Sequence, residues 1–372
     1  MERDPESSIT LFLCGDVMTG RGIDQILPHP SDPTLHESWV LDARDYVTLA
    51  ERTGGPIPRP VEPRYLWGDA LAELERAAPD VRVLPLETAL TTSEDREEKG
   101  IHYRMHPANV ASLTAIRPDV CVLANNHVLD WGRRGLNETL DVLHAAGIRT
   151  AGAGRDATEA QAPAIVERPR GRVLVFGFAH LSSGIPPSWA ATAERGGVNL
   201  LHRLSEDDAV SLARRVRSLK GPGDIVLASI HWGGNWGYDV PNEQRRFAHA
   251  LIDRAAVDLV HGHSSHHAKG VEIYRDRLVL YGCGDFLNDY EGISGYEDYR
   301  SELGFMYLPR LDGTSGRLRE LRLVPTRIRN LRVNRADEED TRWLSAMLNR
   351  EGRAFGTGVE RLADGTLRLA WR

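Results

Sequence analysis

The sequence predicts an α/β fold, in which short buried strands alternate with amphipathic helices and end in polar side chains. One observation is the stretch of residues 258–285, where a short apolar run stops at Gly262 among four histidines. The histidines are His261, His263, His266 and His267. A second observation is that four more apolar runs also end in Asp, Glu, Asn or His. Runs that stop in this way are typical of buried parallel strands, and open α/β sheets bind ligands at the carboxyl ends of such strands.

The four other runs are residues 11–14 before Asp16, 81–84 before Glu87, 120–124 before Asn125-Asn126-His127, and 225–230 before His231. A single Asp after a strand is more often a helix cap, so no one run identifies a site. Five strand ends that each offer a metal-binding side chain indicate a shared metal site. A solvated histidine-rich loop is the alternative interpretation of residues 261–267.

Composition and charge restrict the kinds of molecule that the protein is expected to bind. The chain has 372 residues, 41% hydrophobic and 27% charged, which is ordinary for a globular protein of one or two domains. Its net charge of -7 argues against non-specific binding to nucleic acid or an anionic membrane, so neither is expected as a partner. Cys14, Cys121 and Cys283 lie in or beside apolar strands, and we expect buried thiols of a reducing compartment.

The first residues predict a cytoplasmic protein. Residues 1–10 are polar and acidic, and the apolar run after them is too short for a signal peptide or a membrane span. The segment after Asp16 lacks the Gly-x-Gly-x-x-Gly turn of a dinucleotide site, and we expect no organic cofactor.

Between the strands the sequence predicts helices at residues 38–51, 65–78, 107–115, 135–146 and 204–219. The first of these lies in a proline-rich insertion, residues 27–63, which is either a lid over the site or a wrap over the sheet edge. Beyond residue 327 the pattern predicts a helix at 337–351 and a hairpin around Asp364-Gly365. We therefore divide the chain into a main domain, residues 1–327, and a C-terminal appendage, residues 328–372.

Several side chains near the strand ends are candidates for substrate contact. Arg21 and Arg104 have the fork geometry that holds a carboxylate or phosphate, and a surface position is the alternative for Arg21. Trp232 and Trp236 lie on a glycine-rich loop after His231 and form either a substrate pocket or a plug in the core. The acidic, tyrosine-rich segment 288–302 is either a lid or a solvated face.

Five motifs, in order, resemble those of a known family. They are Gly15-Asp16 with Arg21, Leu86-Glu87, Asn125-Asn126-His127, His231-Trp232-Gly233 and Gly262-His263-Ser264-Ser265-His266. Over residues 9–327 the set resembles the CapA-like proteins, the poly-gamma-glutamate biosynthesis relatives of the calcineurin-like metallophosphoesterases. The resemblance implies a four-layer α/β/β/α sandwich of two mixed sheets, with helices outside and metal at the strand ends. The chain departs from the family pattern at Pro85, where Asn is common, and at Asp285, where the common motif is Gly-Asn-Phe.

The motifs and the strand ends together imply one set of metal ligands: Asp16, Glu87, Asn126, His231, His263 and His266. This mixture of oxygen and imidazole ligands without thiolate suits a divalent Mn, Fe, Zn or Co ion, and one or two ions are compatible with it. His127, His267 and Asp130 are the candidate proton carriers beside the metal.

Three functions follow from the resemblance. Some CapA-like proteins of bacterial peptide natural-product pathways resemble cofactor-free peptide epimerases, and a cytoplasmic chain favours this activity at a peptide Cα. The first alternative is a phosphoester hydrolase of the calcineurin-like type. The second is a component of polyglutamate capsule synthesis, for which a membrane anchor is usual. We expect a peptide substrate, with His127, His267 and Asp130 moving protons and Arg21 or Arg104 holding a terminal carboxylate.

Overall fold

A computed structural model describes residues 8–169 and 171–372, so most of the polar N-terminal segment, residues 1–7, lies outside the described residues. The strands in chain order are β1 Ser8–Leu13, β2 Asp16–Val17, β3 Val81–Pro85, β4 Ala89–Leu90, β5 Arg104–Met105, β6 Val120–Val122, β7 Arg149–Ala151, β8 Ala153–Gly154, β9 Ala164–Arg168, β10 Gly171–His180, β11 Gly197–Val198, β12 Leu200–Leu201, β13 Ile225–His231, β14 Leu259–His263, β15 Val271–Tyr274, β16 Arg277–Leu280, β17 Asp285–Leu287, β18 Leu303–Asp312, β19 Leu318–Ile328, β20 Val333–Arg335, β21 Thr357–Arg361 and β22 Leu367–Trp371.

The α-helices are α1 Arg21–Asp24, α2 Arg44–Gly54, α3 Ala70–Ala77, α4 Val110–Thr114, α5 Gly132–Ala145, α6 Ala157–Gln161, α7 Glu206–Leu219, α8 Asn242–Ala255 and α9 Glu338–Glu351. Short 3-10 turns occupy Tyr65–Trp67, Pro107–Asn109, Leu181–Ser183, Pro187–Trp189, Glu297–Tyr299 and Gly352–Phe355. The structure describes no helix with both the length and the apolar character needed to cross a bilayer.

Two large mixed sheets form the centre of the molecule. The first runs in the order β21-β22-β19-β18-β1-β3-β6-β7, with β20 beside β19. The second runs β12-β10-β13-β14-β16-β15, with β9 beside β10. The strands that were expected to carry ligands are parallel: β1 to β3 to β6 in one sheet, and β13 to β14 in the other. Their carboxyl ends therefore face the same edge of the molecule.

Successive side chains of a strand point to opposite faces of its sheet, and their contacts show what packs against each face. Leu11 and Leu13 of β1 join a core that also contains Val173 and Leu227 of the second sheet, so the sheets share an apolar interior. Phe12, between the two leucines, points into a separate core with helices such as α5. On the far side of the second sheet, α7 and α8 pack over the other face of β10 and β13. The mixed α/β sandwich that the sequence predicts is thus confirmed.

Most of the predicted elements exist with small shifts of their ends. The helix predicted after Ser205 begins in a capping box, in which Ser205 and Asp208 bond to each other's backbone N–H. In the proline-rich insertion, α2 buries Val47 and Ala50 in the core beside the first sheet, which favours the wrap over the lid. Helix α8 and the long hairpin of β18 and β19 were not predicted.

The C-terminal segment continues the first sheet. Strand β22 pairs with β19 through Leu367 opposite Leu323, and β21 pairs with β22. The helix and hairpin predicted beyond residue 327 are present as α9, β21 and β22. The division into a domain and an appendage at residue 327 stays a prediction.

Candidate metal centre

Strands β2 and β17 place two carboxylates side by side. They pair in parallel, with Asp16 opposite Asp285. This pairing depends on Gly15, where an added Cβ would lie 1.9 Å from the carbonyl oxygen of Gly284. Any larger residue at position 15 would push the two strands apart.

Asp16 lies beside two histidines from the second sheet. Its Oδ1 is 2.9 Å from Nδ1 of His263 and 3.6 Å from Nδ1 of His231, and the two Nδ1 atoms are 2.9 Å apart. Its Oδ2 accepts a hydrogen bond from the Ser264 backbone N–H at 2.8 Å. All three side chains are buried, and Oδ1 of Asp16 accepts no hydrogen bond.

A relay of buried groups sets the tautomer of His263. Nε2 of His261 is 2.8 Å from the Cys14 carbonyl oxygen, so it carries the proton and donates it. Burial lowers the pKa of His261 to about 3, so the ring is neutral and its Nδ1 accepts from the Ser229 hydroxyl, 3.1 Å away. The Ser229 oxygen is then free to accept from Nε2–H of His263 at 3.1 Å. The Nδ1 of a neutral His263 is therefore a bare lone pair directed at Asp16.

The tautomer of His231 is set in the same way. Its Nε2 is 2.9 Å from Oδ1 of Asn126, an acceptor, so Nε2 carries the proton. Burial also lowers the pKa of His231, which favours the neutral ring with a bare Nδ1. With both rings neutral, two nitrogen lone pairs and a carboxylate oxygen converge without a proton between them. The two nitrogen atoms and the oxygen repel one another unless a cation binds between them, so these residues fit a divalent metal ion.

A second group of possible ligands shares Asp16. One carboxylate oxygen each from Asp16, Glu87 and Asp285 lies within 4.8 Å of the others. Burial, together with the charges of Asp16 and Asp285, raises the pKa of Glu87 well above its usual value. Three buried carboxylates in contact also call for a cation.

His127 forms a buried pair with Asp130 beside this centre. Its Nδ1 donates to Oδ2 of Asp130 at 2.7 Å, and its Nε2 is 3.9 Å from Oε1 of Glu87. Burial lowers the pKa of His127 to about 3, against the opposing effect of Asp130. Asp130 also accepts from Nζ of Lys99 at 2.6 Å and from the Tyr103 backbone N–H at 2.7 Å. The neutral ring therefore presents an unprotonated Nε2 toward the centre.

His266 forms a second imidazole–carboxylate pair. Its Nδ1 is 3.0 Å from Oδ2 of Asp285, which also accepts from Nδ2 of Asn288 at 2.7 Å. Burial works against a charge on His266, but Asp285 outweighs it and raises the pKa. The ring lies between Trp236 and Tyr290, at centroid distances of 5.3 and 5.2 Å.

A pocket of about 350 Å³ opens onto these groups. Its lining includes Glu87, Asn126, His127, His231 and His266 from the centre, and Lys99, Gly100, Ile101, Tyr103, Gly184, Asn235, Ser264 and Tyr290 around it. The structure thus brings all six predicted metal ligands to one place. Asn126 is hydrogen-bonded to His231, and His266 is hydrogen-bonded to Asp285. His231 and Asp285 are themselves members of the two ligand groups.

The predicted arginines have other partners. Arg21 is buried, bonded twice to Asp289 and once to Glu37 at 2.9 Å. Arg104 is buried as well, 2.8 Å from Glu94, with its guanidinium 3.9 Å from the Trp131 ring centroid. Neither residue lines the pocket.

The two tryptophans and His267 are absent from the pocket lining. Trp232 is buried in the core, and its Nε1–H donates to the Tyr281 carbonyl oxygen at 2.9 Å. Of the two interpretations that the sequence left open for this residue, the structure therefore favours the plug in the core. Trp236 stacks on Tyr296 at 3.9 Å between centroids. His267 stacks on Tyr299 at 4.7 Å in the same aromatic cluster, and it does not line the pocket.

Sequence reasoning omitted Asp285 from the ligands. The signal was present, because Asp285 ends the 258–285 stretch and departs from the Gly-Asn-Phe motif of the resembled family. It was not used, because only the pairing of β17 with β2 shows that Asp285 lies opposite Asp16.

Comparison with known proteins identifies the family of the chain. The model of a family described as bacterial capsule synthesis protein PGA_cap matches residues 10–290. The chain belongs to this family. The match covers all six predicted ligands, from Asp16 to His266, as well as Asp285, and the CapA-like resemblance is thereby confirmed.

PGA_cap relatives differ in how much of the chain they match. A probable polyglutamine synthesis accessory protein of Mycobacterium tuberculosis is 49% identical over 97% of this chain and 96% of its own length. The PGA biosynthesis protein CapA of Bacillus subtilis is 28% identical over 52% of this chain and 48% of its own. The capsule biosynthesis protein CapA of Bacillus anthracis is 24% identical over 76% of this chain and 60% of its own.

Proposed function

We propose that the protein is a metal-dependent accessory enzyme in the synthesis of an amide-linked polymer of glutamine or glutamate. The names of the relatives support the polymer, and the high coverage of the mycobacterial relative supports a shared role over the whole chain. The observation that carries the metal dependence is that one buried ligand atom from each of Asp16, His231 and His263 lies within 4.8 Å of the other two. We propose a cytoplasmic location on the three free, buried thiols.

The residues that would hold the ion are Asp16, His231 and His263, with Glu87 and Asp285 beside them. A divalent ion at this position supplies a Lewis acid that polarises a carbonyl or phosphoryl oxygen. The chain itself supplies two groups for proton transfer at the pocket: His127 held by Asp130, and His266 held by Asp285.

Two separately held imidazoles suit proton exchange at the Cα of a polymer unit. One can remove the Cα proton next to a polarised carbonyl, and the other can return a proton to the opposite face. Each carboxylate holds its ring by Nδ1, which keeps Nε2 in position for the transfer. We therefore propose epimerisation of a peptide unit as the reaction, with His266 in the role first predicted for His267.

Phosphoester hydrolysis is the second candidate. Asp16 belongs to both ligand groups, which favours two ions side by side, and two-metal sites commonly serve in-line displacement at phosphorus.

Incubation of the metal-loaded protein with glutamine and glutamate oligomers in D2O separates the two reactions. We expect deuterium at the α-carbon and a change of chirality, both lost after chelation and in His127→Gln. The matched control is His144→Gln, because His144 lies on α5 away from the pocket. Rapid hydrolysis of a phosphodiester without exchange in either oligomer would reject the epimerase in favour of the hydrolase.

A further inference from the structure

The pocket over the metal centre offers no free positive charge from the protein. Among the described residues that line it, Lys99 is the one permanently cationic side chain. Its Nζ donates to Oδ1 of Asp130 and to the Asn126 carbonyl oxygen, both at 2.6 Å. A carboxylate on the substrate would have to displace Asp130 to use this charge.

The nearby arginines are also neutralised. Arg21 is enclosed by Asp289 and Glu37, and Arg104 is bonded to Glu94. Their side chains are only 3% and 8% exposed, so neither can turn toward a ligand without breaking a buried ion pair.

His266 also lines the pocket, but its Nδ1 is already paired with Oδ2 of Asp285 at 3.0 Å. The other lining residues are uncharged or acidic. Tyr103, Asn126, Asn235, Ser264 and Tyr290 offer hydroxyl and amide groups. The segment that leads to Lys99, residues 94–98, carries four acidic residues and one arginine.

We propose that the polymer unit held in this pocket carries an uncharged carboxamide, as glutamine does, and not a carboxylate. Amide and hydroxyl groups can pair with a carboxamide as donors and acceptors. A carboxylate placed there would lose water without gaining an unpaired cation from the protein and would lie near other negative charges. The proposal rests on the proposed function, since it names the substrate class of the same site.

Two probes that bind through one common group isolate the effect of the side-chain charge. We would measure by calorimetry the binding of the α-hydroxamates of N-acetyl-glutamine and N-acetyl-glutamate to Zn²⁺-loaded protein. The hydroxamate binds the metal in both, so the probes differ only in the side chain. We expect the glutamine probe to bind at least about 10-fold tighter, which corresponds to about 1.4 kcal/mol. Because the difference is electrostatic, it should shrink as salt is added.

A cation introduced at the pocket should remove the preference. Ile101 lines the pocket and is 42% exposed, so Ile101→Lys should bring the two dissociation constants together. The control is Val210→Lys, on the 37% exposed Val210 of α7 outside the pocket lining, which should keep the preference.

The possible results separate the two proposals. Equal or tighter binding of the glutamate probe to the unaltered protein at low salt would overturn the charge selectivity. A clear preference for the glutamine probe, with no reaction of either oligomer in D2O, would support the selectivity and reject the proposed reaction.

Discussion

The side chains of the metal centre hold one another in a single protonation pattern. Ser229 is the link whose removal should show this, because its hydroxyl joins His261 to His263. In Ser229→Ala, Nε2 of His263 loses its acceptor and the ring can present a protonated Nδ1 to Asp16. We expect metal affinity to fall by about 10–100-fold, as for other partners of metal ligands. Competition with a coloured chelator measures the affinity.

A matched control for that variant is Ser345→Ala, because Ser345 is also a buried serine but lies on α9. It should leave the affinity unchanged. Unaltered metal binding in Ser229→Ala would show that the relay does not set the tautomer.

The raised pKa of Glu87 leads to a prediction about proton release on metal binding. Burial and the charges of Asp16 and Asp285 raise its pKa, so without metal it keeps its proton up to a higher pH than a free glutamate. A metal ion that binds the carboxylate must displace this proton, so affinity should weaken as the pH falls. Titration calorimetry in two buffers of different ionisation enthalpy should show proton release on metal binding, and the release should grow as the pH falls.

Glu87→Gln should abolish this proton release. The exposed Glu94 is the comparison residue, and Glu94→Gln should leave the proton count unchanged. Equal release by the unaltered protein and Glu87→Gln would contradict the assignment.

At the residue scale, the sequence predicted which side chains meet at one centre better than it predicted how the charges pair. Asp16, Glu87, His231 and His263 follow directly from polar residues placed at strand ends. The partner of Arg21 does not, because Asp289 lies 268 positions away and meets it only after folding. The different surroundings of the adjacent His266 and His267 were equally hidden, since no local pattern separates two consecutive histidines.

At the scale of elements, the close approach of β2 and β17 decides whether the two ligand groups form. Gly15→Ala would place a methyl group within 1.9 Å of the Gly284 carbonyl oxygen, so the strands must separate and take Asp285 away from Asp16. We expect lower metal occupancy and a lower Tm, measured by elemental analysis and thermal unfolding.

Gly234→Ala is the control, because an added Cβ at position 234 meets no atom within 4 Å. Normal occupancy in Gly15→Ala would show that the pairing of β2 with β17 does not build the site.

Elements were predictable where the apolar pattern was local. The runs before Asp16, Glu87 and His231 became strands, since continuous apolar residues suit strands buried on both faces. Helix α8 was missed, because its buried Phe247, Ala248 and Leu251 lie in a short apolar run that charged residues flank on both sides, at 245–246 and 253–254. The hairpin of β18 and β19 was missed because its pairing spans positions 303–327 and depends on contacts beyond the local pattern.

At the scale of the whole molecule, the C-terminal segment belongs to the shared core. Leu344, Met347, Leu348, Val359, Leu367 and Leu369 all lie in the apolar interior formed by both sheets. Burial of one such side chain stabilises a fold by roughly 1.5–3 kcal/mol, or about 9–18 kcal/mol for the six. A typical protein is stable by only about 5–15 kcal/mol.

Removal of residues 328–372 should therefore prevent the remaining chain from folding stably, although every predicted metal ligand lies before residue 328. The double variant Leu344→Ala with Leu348→Ala tests the same contacts in the full-length chain, where each substitution should cost about 2–5 kcal/mol. Circular dichroism and thermal unfolding measure both proteins. A shortened chain that unfolds cooperatively at the Tm of the full protein and still binds metal would show that the segment is an independent appendage.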